Sequence, residues 1–122
     1  MKNEEHRIQK AFFDWLKIYE ERFPVLKMFF HIPNGGKRNI LTAVNLKKQG
    51  VRAGIPDVMN LSGFKDKKGL VLEFKSEKGR LTPEQKEWIS FLEKEGFYVA
   101  VMRDWKDAAK LTIHCYGLPI KL

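Results

Sequence analysis

The sequence contains a single cysteine, Cys115, and this scarcity excludes several classes of protein. No intrachain disulfide can form, so nothing points to an oxidising compartment. A zinc site is not expected either, because there is no Cys-x-x-Cys motif and His6, His31 and His114 are far apart in sequence. We therefore interpret the three histidines as surface or core residues.

Long apolar runs are also missing. No segment approaches the roughly 18 consecutive apolar residues that span a bilayer, and the first residues, MKNEEHRIQK, are polar where a signal peptide would be apolar. We expect a cytoplasmic protein with no membrane partner. The 122 residues, 43% of them apolar, suit one hydrophobic core, so residues 1–122 are predicted to form a single domain.

Acidic residues are absent from residues 22–56, and this segment carries +7 of the net charge of +8. Such an asymmetry is typical of a face that binds a polyanion. A solvated basic surface that only aids solubility would have the same composition. The basic residues of the segment are Arg22, Lys27, Lys37, Arg38, Lys47, Lys48 and Arg52.

The hydrophobic pattern of the first half predicts two helices and a strand. Residues 3–22 have apolar side chains at helical spacing, with Asn3 as the N-cap. Residues 25–32 are rich in β-formers and predict a strand, which a turn at residues 33–36 follows. Residues 39–49 predict a short helix that a glycine ends.

The second half predicts a hairpin followed by a helix, a strand and a helix. Residues 57–61 and 70–75 are the two strands of the hairpin. Thr82-Pro83-Glu84-Gln85 is typical of a helix start with a capping box. Residues 98–102 predict a strand, and Asp104 can cap a last helix. The order of elements indicates an α/β fold, a mixed β-sheet flanked by α-helices.

The register of the hairpin brings two acids together. If the hairpin is regular and centred on Lys65, Met59 faces Val71 and Asp57 faces Glu73. Like charges that oppose one another directly across a sheet destabilise it unless something neutralises them. A divalent cation between the two carboxylates would do so.

Lys75 completes a charged trio, because the alternation of side chains along a strand puts it on the face of Glu73. Phosphodiester hydrolysis needs oxygen ligands for Mg²⁺, an activated water and positive charge near the phosphate. Asp57 and Glu73 would hold the Mg²⁺, for which Mn²⁺ can substitute, and Lys75 would contact the phosphate or orient the water. The alternative is that these three residues form only a cross-strand salt bridge, which would give the same arrangement of residues in the sequence.

The chain resembles a known nuclease family at these residues. Gly54-Ile55-Pro56-Asp57, followed by Glu73-Phe74-Lys75, is similar to the signature of the restriction-endonuclease-like PD-(D/E)XK superfamily. More closely, the sequence resembles a stand-alone VRR-NUC domain over roughly residues 4–103, in the segments EEHRIQKAFFDWL, PNGGKR, GVRAGIPDVMNL and LEFKSEKGRLTPEQKEW. The family name refers to a Val-Arg-Arg-like run, which stands in this chain as Val51-Arg52-Ala53. The resemblance therefore leaves Arg52 as the functional arginine.

The resemblance implies two further catalytic residues, an acid on the first helix and a glutamine on the helix after Glu-x-Lys. By motif match these are Glu5, as a third metal ligand, and Gln85. Glu4 shares nearly the same helix face as Glu5, and either acid could simply favour the positive end of the helix dipole. Gln85 could equally serve only as the capping-box partner of Thr82.

The predicted helix at residues 39–49 and the segments on either side of it carry the residues that are predicted to bind nucleic acid. Glycines in the loop that follows residue 33 permit close backbone approach, and cations there would meet phosphates, although a simple β-turn with solvated charges is the alternative. The predicted nucleic-acid-binding residues are Asn34, Lys37, Arg38, Lys47, Lys48 and Arg52.

Taken with the resemblance, these features predict a metal-dependent endonuclease that acts on DNA, with no small-molecule cofactor. The resemblance implies branched substrates such as four-way junctions or flaps. One small domain carries one such site, so cutting two strands symmetrically predicts a homodimer, for which residues 25–32 and the first helix are the expected surface. The alternatives are a sequence-specific restriction-like endonuclease and a basic binding module without catalysis.

Overall fold

The computed structural model describes residues 2–33 and 40–122. Within these residues, α-helices are interspersed among the strands of one sheet, and a short 3₁₀ helix precedes the first strand. The elements are α1 (Lys2–Tyr19), the 3₁₀ helix (Pro24–Met28), β1 (Phe29–His31), α2 (Ile40–Lys48), β2 (Val58–Asn60), β3 (Leu70–Phe74), α3 (Pro83–Lys94), β4 (Tyr98–Met102) and α4 (Trp105–Tyr116). No helix among the described residues is both long enough and apolar enough to cross a membrane.

The sheet has four strands in the order β1-β2-β3-β4. Strand β2 pairs antiparallel with both β1 and β3, and β4 runs parallel to β3 after the α3 crossover. Met59 pairs with Val71, so the predicted hairpin register is confirmed. A mixed sheet flanked by helices is the fold class that the sequence predicts.

The predicted helix caps of the second half are confirmed. The Thr82 hydroxyl accepts the N–H of Gln85, and the Gln85 side chain accepts the N–H of Thr82 in return. Asp104 accepts the N–H of Lys106 at the start of α4. Each cap satisfies backbone donors that the first turn of a helix leaves without partners.

Two predictions in the first half were wrong. Residues 24–28, expected to belong mostly to a strand, form the 3₁₀ helix, since proline is well suited to a first helical position and Leu26 is buried there. Only Phe29–His31 pairs with β2. Helix α1 begins at Lys2, so Asn3 lies inside its first turn and not at the cap, and it ends at Tyr19. The predicted turn after Pro33 lies largely outside the described residues.

The hydrophobic core lies between one face of the sheet and the helices α1 and α4. Leu72 and Phe74 point into it from β3, whereas Glu73 between them points to the opposite face. Helix α3 packs against β4 on that opposite face, where Gln85 reaches Glu73. The main buried core residues are Phe12, Trp15, Leu16, Leu26, Phe29, Val58, Leu70, Leu72, Phe74, Ala108, Ala109 and Cys115.

Candidate active site

Asp57 is held at the start of the hairpin by hydrogen bonds from two neighbouring segments. Its carboxylate oxygen Oδ2 accepts the N–H of Phe74 at 2.9 Å. Its carbonyl oxygen accepts the N–H of Ile32 at 2.7 Å and lies 2.9 Å from Nδ1 of His31. The side chain is therefore fixed next to β3, at the position opposite Glu73.

Glu73 is only 2% exposed in the middle of the sheet. Its Oε2 accepts the Gln85 amide at 3.0 Å, and the carboxyl group of Asp57 lies close enough to raise its pKa. Lys75 Nζ lies 3.8 Å from the same oxygen. The other oxygen, Oε1, is buried and has no hydrogen-bond partner among the described residues. One buried carboxylate oxygen is thus available to a ligand.

The proximity of the two acids changes how readily they ionise. Burial and the negative charge of Asp57 together raise the pKa of Glu73 to about 8, while Lys75 opposes the shift. Burial also raises the pKa of Asp57, although the hydrogen bond from the N–H of Phe74 partly offsets this rise. Without a cation, the pair therefore retains a proton at neutral pH.

Gln85 connects this pair to helix α3. Its Oε1 accepts the N–H of Thr82 at 2.9 Å, and its Nε2 donates to Glu73 Oε2. The cap and the site were alternatives for this residue in the sequence, and the structure shows both contacts at once. A single side chain amide can do this because it carries an acceptor and donors on opposite sides.

Among the described residues, Glu5 and not Glu4 is the acid of α1 that contacts the site. Its Oε2 accepts the N–H of Ser76 at 3.4 Å, just after Lys75. Its charge also contributes to the raised pKa of both Asp57 and Glu73. A side chain at Gly79 would place its Cβ 3.3 Å from Glu5 Oε2, so the small residue leaves room for this carboxylate.

The donor set suits a cation that keeps much of its water. Within residues 2–33 and 40–122, no group of three or more His, Cys, Asp or Glu side chains could hold a metal ion by itself. Mg²⁺ is commonly held by one or two carboxylates, with waters and substrate phosphates completing its shell. The carboxylates of Asp57 and Glu73 fit that requirement, since one oxygen of Glu73 has no partner among the described residues, and Glu5 contacts the backbone just after β3.

Residues 2–105 match the model of the VRR-NUC domain. The chain belongs to the VRR-NUC domain family. A solved structure named "VRR_NUC domain protein" is similar to it, with 27% sequence identity and a TM-score of 0.76 over 93% of this chain and 88% of that one. None of the curated proteins compared matches the chain. The predicted family is confirmed, and this is a nuclease-type domain.

The described basic residues of this VRR-NUC domain lie at the end of α2 and in the loop that follows it. Lys47 and Lys48 lie in the last turn of α2, and Arg52 lies exposed in the loop that leads to Asp57. Gly54 in that loop has φ of +86°, and a Cβ there would lie 2.6 Å from the backbone of Glu84. The loop therefore packs tightly against the start of α3. The predicted nucleic-acid-binding residues Asn34, Lys37 and Arg38 lie outside the described residues.

Arg103 is a site-forming residue of the VRR-NUC domain that the sequence analysis missed. It follows β4, and its guanidinium donates to the carbonyls of Ser76 and Gly79, the latter at 2.7 Å. Parallel strands bring their carboxyl ends to one edge of the sheet, so the position after β4 necessarily adjoins Lys75. Recognising that β3 and β4 are parallel would have pointed to it.

Proposed function

We propose that the protein is a Mg²⁺-dependent endodeoxyribonuclease, with Mn²⁺ able to substitute, that hydrolyses phosphodiester bonds in branched DNA such as four-way junctions or flaps. The observation that carries the proposal is the buried Oε1 of Glu73, which lacks a partner among the described residues while Asp57 and Lys75 lie beside it. A buried carboxylate oxygen without a partner is costly unless it serves a ligand.

Asp57 and Glu73 would hold the cation in this proposal. When bound, Mg²⁺ supplies positive charge that activates a water and stabilises charge on the phosphate. Lys75, whose Nζ lies 3.8 Å from Glu73 Oε2, stabilises the negative charge that develops on the phosphate oxygens. Gln85 fixes the orientation of the Glu73 carboxylate, and Glu5 adds negative charge nearby.

DNA is the proposed substrate because of the charge distribution around the site. The stretch of residues 22–56 carries no acidic residue and leads directly into Asp57. Cations that contact phosphates bind DNA without reading its sequence, which favours recognition of DNA shape over a fixed site. A homodimer would supply the two centres that symmetric cutting of two strands requires.

The experiment is a cleavage assay with end-labelled four-way junction, flap and linear duplex, each with Mg²⁺, Mn²⁺ or EDTA. We expect cutting of the branched substrates with either cation, little cutting of duplex and none in EDTA. Cleavage of duplex at one fixed sequence, with junctions ignored, would favour a restriction-like enzyme. DNA binding that survives EDTA, with no product under any condition, would leave a binding module without catalysis.

A further inference from the structure

A cleft of about 550 Å³ separates the end of α2 and the following loop from helix α3. One wall contains Lys47 and Arg52, and the other contains Glu87, Trp88 and Phe91. Its volume lies within the roughly 300–1,000 Å³ of pockets that hold small ligands. None of these residues belongs to the candidate catalytic centre.

The aromatic wall offers ring surface to a ligand. Phe91 is 51% exposed, which is unusual for a large apolar side chain, and Trp88 is half-buried beside it. The two rings meet edge to face, with centroids 6.1 Å apart. This arrangement covers at most one face of one ring, so other ring faces can stack against a flat partner. Unpaired nucleic-acid bases stack on aromatic side chains in this way.

The charges of the two walls orient such a ligand. Among the described residues, neither Lys47 nor Arg52 forms an ion pair, so both cations can meet a phosphate. Glu87 lies on the aromatic wall and repels phosphate from it. A nucleotide therefore fits with its phosphate at the basic wall and its base at the aromatic wall.

The cleft adjoins the candidate catalytic centre through both of its walls. Trp88 follows Gln85 by three residues on α3, which is a rise of about 4.5 Å along the helix. The basic wall continues into the loop that packs on Glu84 at Gly54 and then reaches Asp57. A nucleotide in the cleft would lie close to the phosphate that is cut.

We infer that this cleft binds an unpaired nucleotide of branched DNA, with its base stacked on Trp88 and Phe91 and its phosphate at Lys47 and Arg52. The inference rests on the proposed function and names the feature of the substrate that the domain recognises. Fully paired duplex has no free base to offer. The cleft thus favours flaps and other branched DNA with a single-stranded arm over linear duplex.

The test compares the affinities of wild-type and variant proteins for two DNA probes, measured by fluorescence anisotropy in EDTA. The probes are a duplex with a short single-stranded arm and the same duplex whose arm is abasic, which keeps the phosphates and removes the bases. The wild-type protein should bind the arm with bases about fivefold or more tightly than the abasic arm. Trp88→Ala should bind both arms with the same affinity, and Trp88→Phe should recover most of the preference.

Phe91→Ala provides a second variant in case Trp88→Ala unfolds, and Tyr98→Ala is the matched control. Tyr98 is a similarly exposed ring, 40% exposed, at the opposite end of β4 from the site. Equal weakening for both arms in the cleft variants, or the same loss in Tyr98→Ala, would overturn the inference. So would dissociation of a dimer by Phe91→Ala, which would make the cleft a protein interface. Because EDTA prevents cleavage, this result is independent of the nuclease assay.

Discussion

The Gln85 amide donates to Glu73 Oε2 at 3.0 Å while it accepts the N–H of Thr82 at 2.9 Å. The cap of α3 thereby fixes the side chain that orients the buried acid. The stability of α3 and the geometry of the site therefore both depend on Gln85. Substituting Gln85 affects both, whereas substituting its capping partner Thr82 affects the helix alone.

We expect Gln85→Ala to lower the unfolding free energy by about 1 kcal/mol and to slow cleavage at least about tenfold, because it removes both the cap contact and the Glu73 contact. Thr82→Ala removes the hydroxyl that accepts the N–H of Gln85 and is the matched control. It should cost a similar unfolding free energy but slow cleavage only slightly. Urea unfolding and single-turnover cleavage measure the two effects. Equal slowing by both variants would contradict a separate role for Gln85.

The raised pKa of Glu73 predicts how stability depends on pH in the absence of metal. The folded protein retains the Glu73 proton up to about pH 8, whereas the unfolded chain releases it near the ordinary glutamate pKa of 4.5. Between these two pH values the folded state binds more protons than the unfolded chain. The contribution of Glu73 to the unfolding free energy is therefore fully present below about pH 4.5 and is lost as the pH rises towards 8. The unfolding free energy in EDTA should therefore decline over this range.

Glu73→Gln isolates that effect, since the amide cannot ionise. The unfolding free energy of the wild type should fall more steeply with pH than that of Glu73→Gln, and Mg²⁺ at pH 8 should stabilise the wild type alone. At about ten times its dissociation constant the ion would add about 1.4 kcal/mol. Parallel pH profiles for the two proteins would show that Glu73 does not retain its proton.

Most of the second half of the fold could be predicted from the sequence, because the turn, cap and alternation patterns there favour the same elements that the packing of the core requires. The hairpin register follows from a regular turn and alternating side chains, and the caps at Thr82 and Asp104 have specific side-chain chemistry. The 3₁₀ helix at Pro24–Met28 was missed because β-propensity is a weak guide where burial of one residue, Leu26, decides the conformation.

The site was predictable only where its residues are close in sequence or share a motif. Asp57, Glu73 and Lys75 meet because two adjacent strands carry them, which the register shows directly. The choice between Glu4 and Glu5 depends on how α1 is rotated against the loop after β3. The role of Arg103 depends on parallel pairing of β3 and β4, a long-range contact that no local pattern specifies.

DNA affinity should weaken as the salt concentration rises, and more steeply the more cations of residues 22–56 contact phosphates. Each phosphate contact contributes about −0.9 to the slope of log K against log salt concentration. Arg52→Gln should make the slope shallower by about that amount. Lys110→Gln, on the exposed surface of α4, removes the same charge far from the proposed face and should leave the slope unchanged. Identical slopes for Arg52→Gln and the wild type would exclude Arg52 from the contact.

Arg103 should stabilise the loop after Lys75. Arg103→Leu removes the donors to the carbonyls of Ser76 and Gly79, so we expect an unfolding free energy lower by about 1–3 kcal/mol and slower cleavage. Arg80→Leu removes an exposed arginine from the same loop and should leave stability nearly unchanged. Thermal unfolding of both variants measures this, and equal melting temperatures for Arg103→Leu and the wild type would contradict it.

The central claim is that Asp57, Glu73 and Lys75 form one catalytic centre. Single-turnover cleavage of a four-way junction at saturating protein and Mg²⁺ tests it most directly, in Asp57→Asn, Glu73→Gln and Lys75→Ala beside the wild type. The account predicts that each variant cuts at least about a hundredfold more slowly while its affinity for the junction stays within about threefold. Cutting at the wild-type rate by any variant that still binds the junction would contradict it.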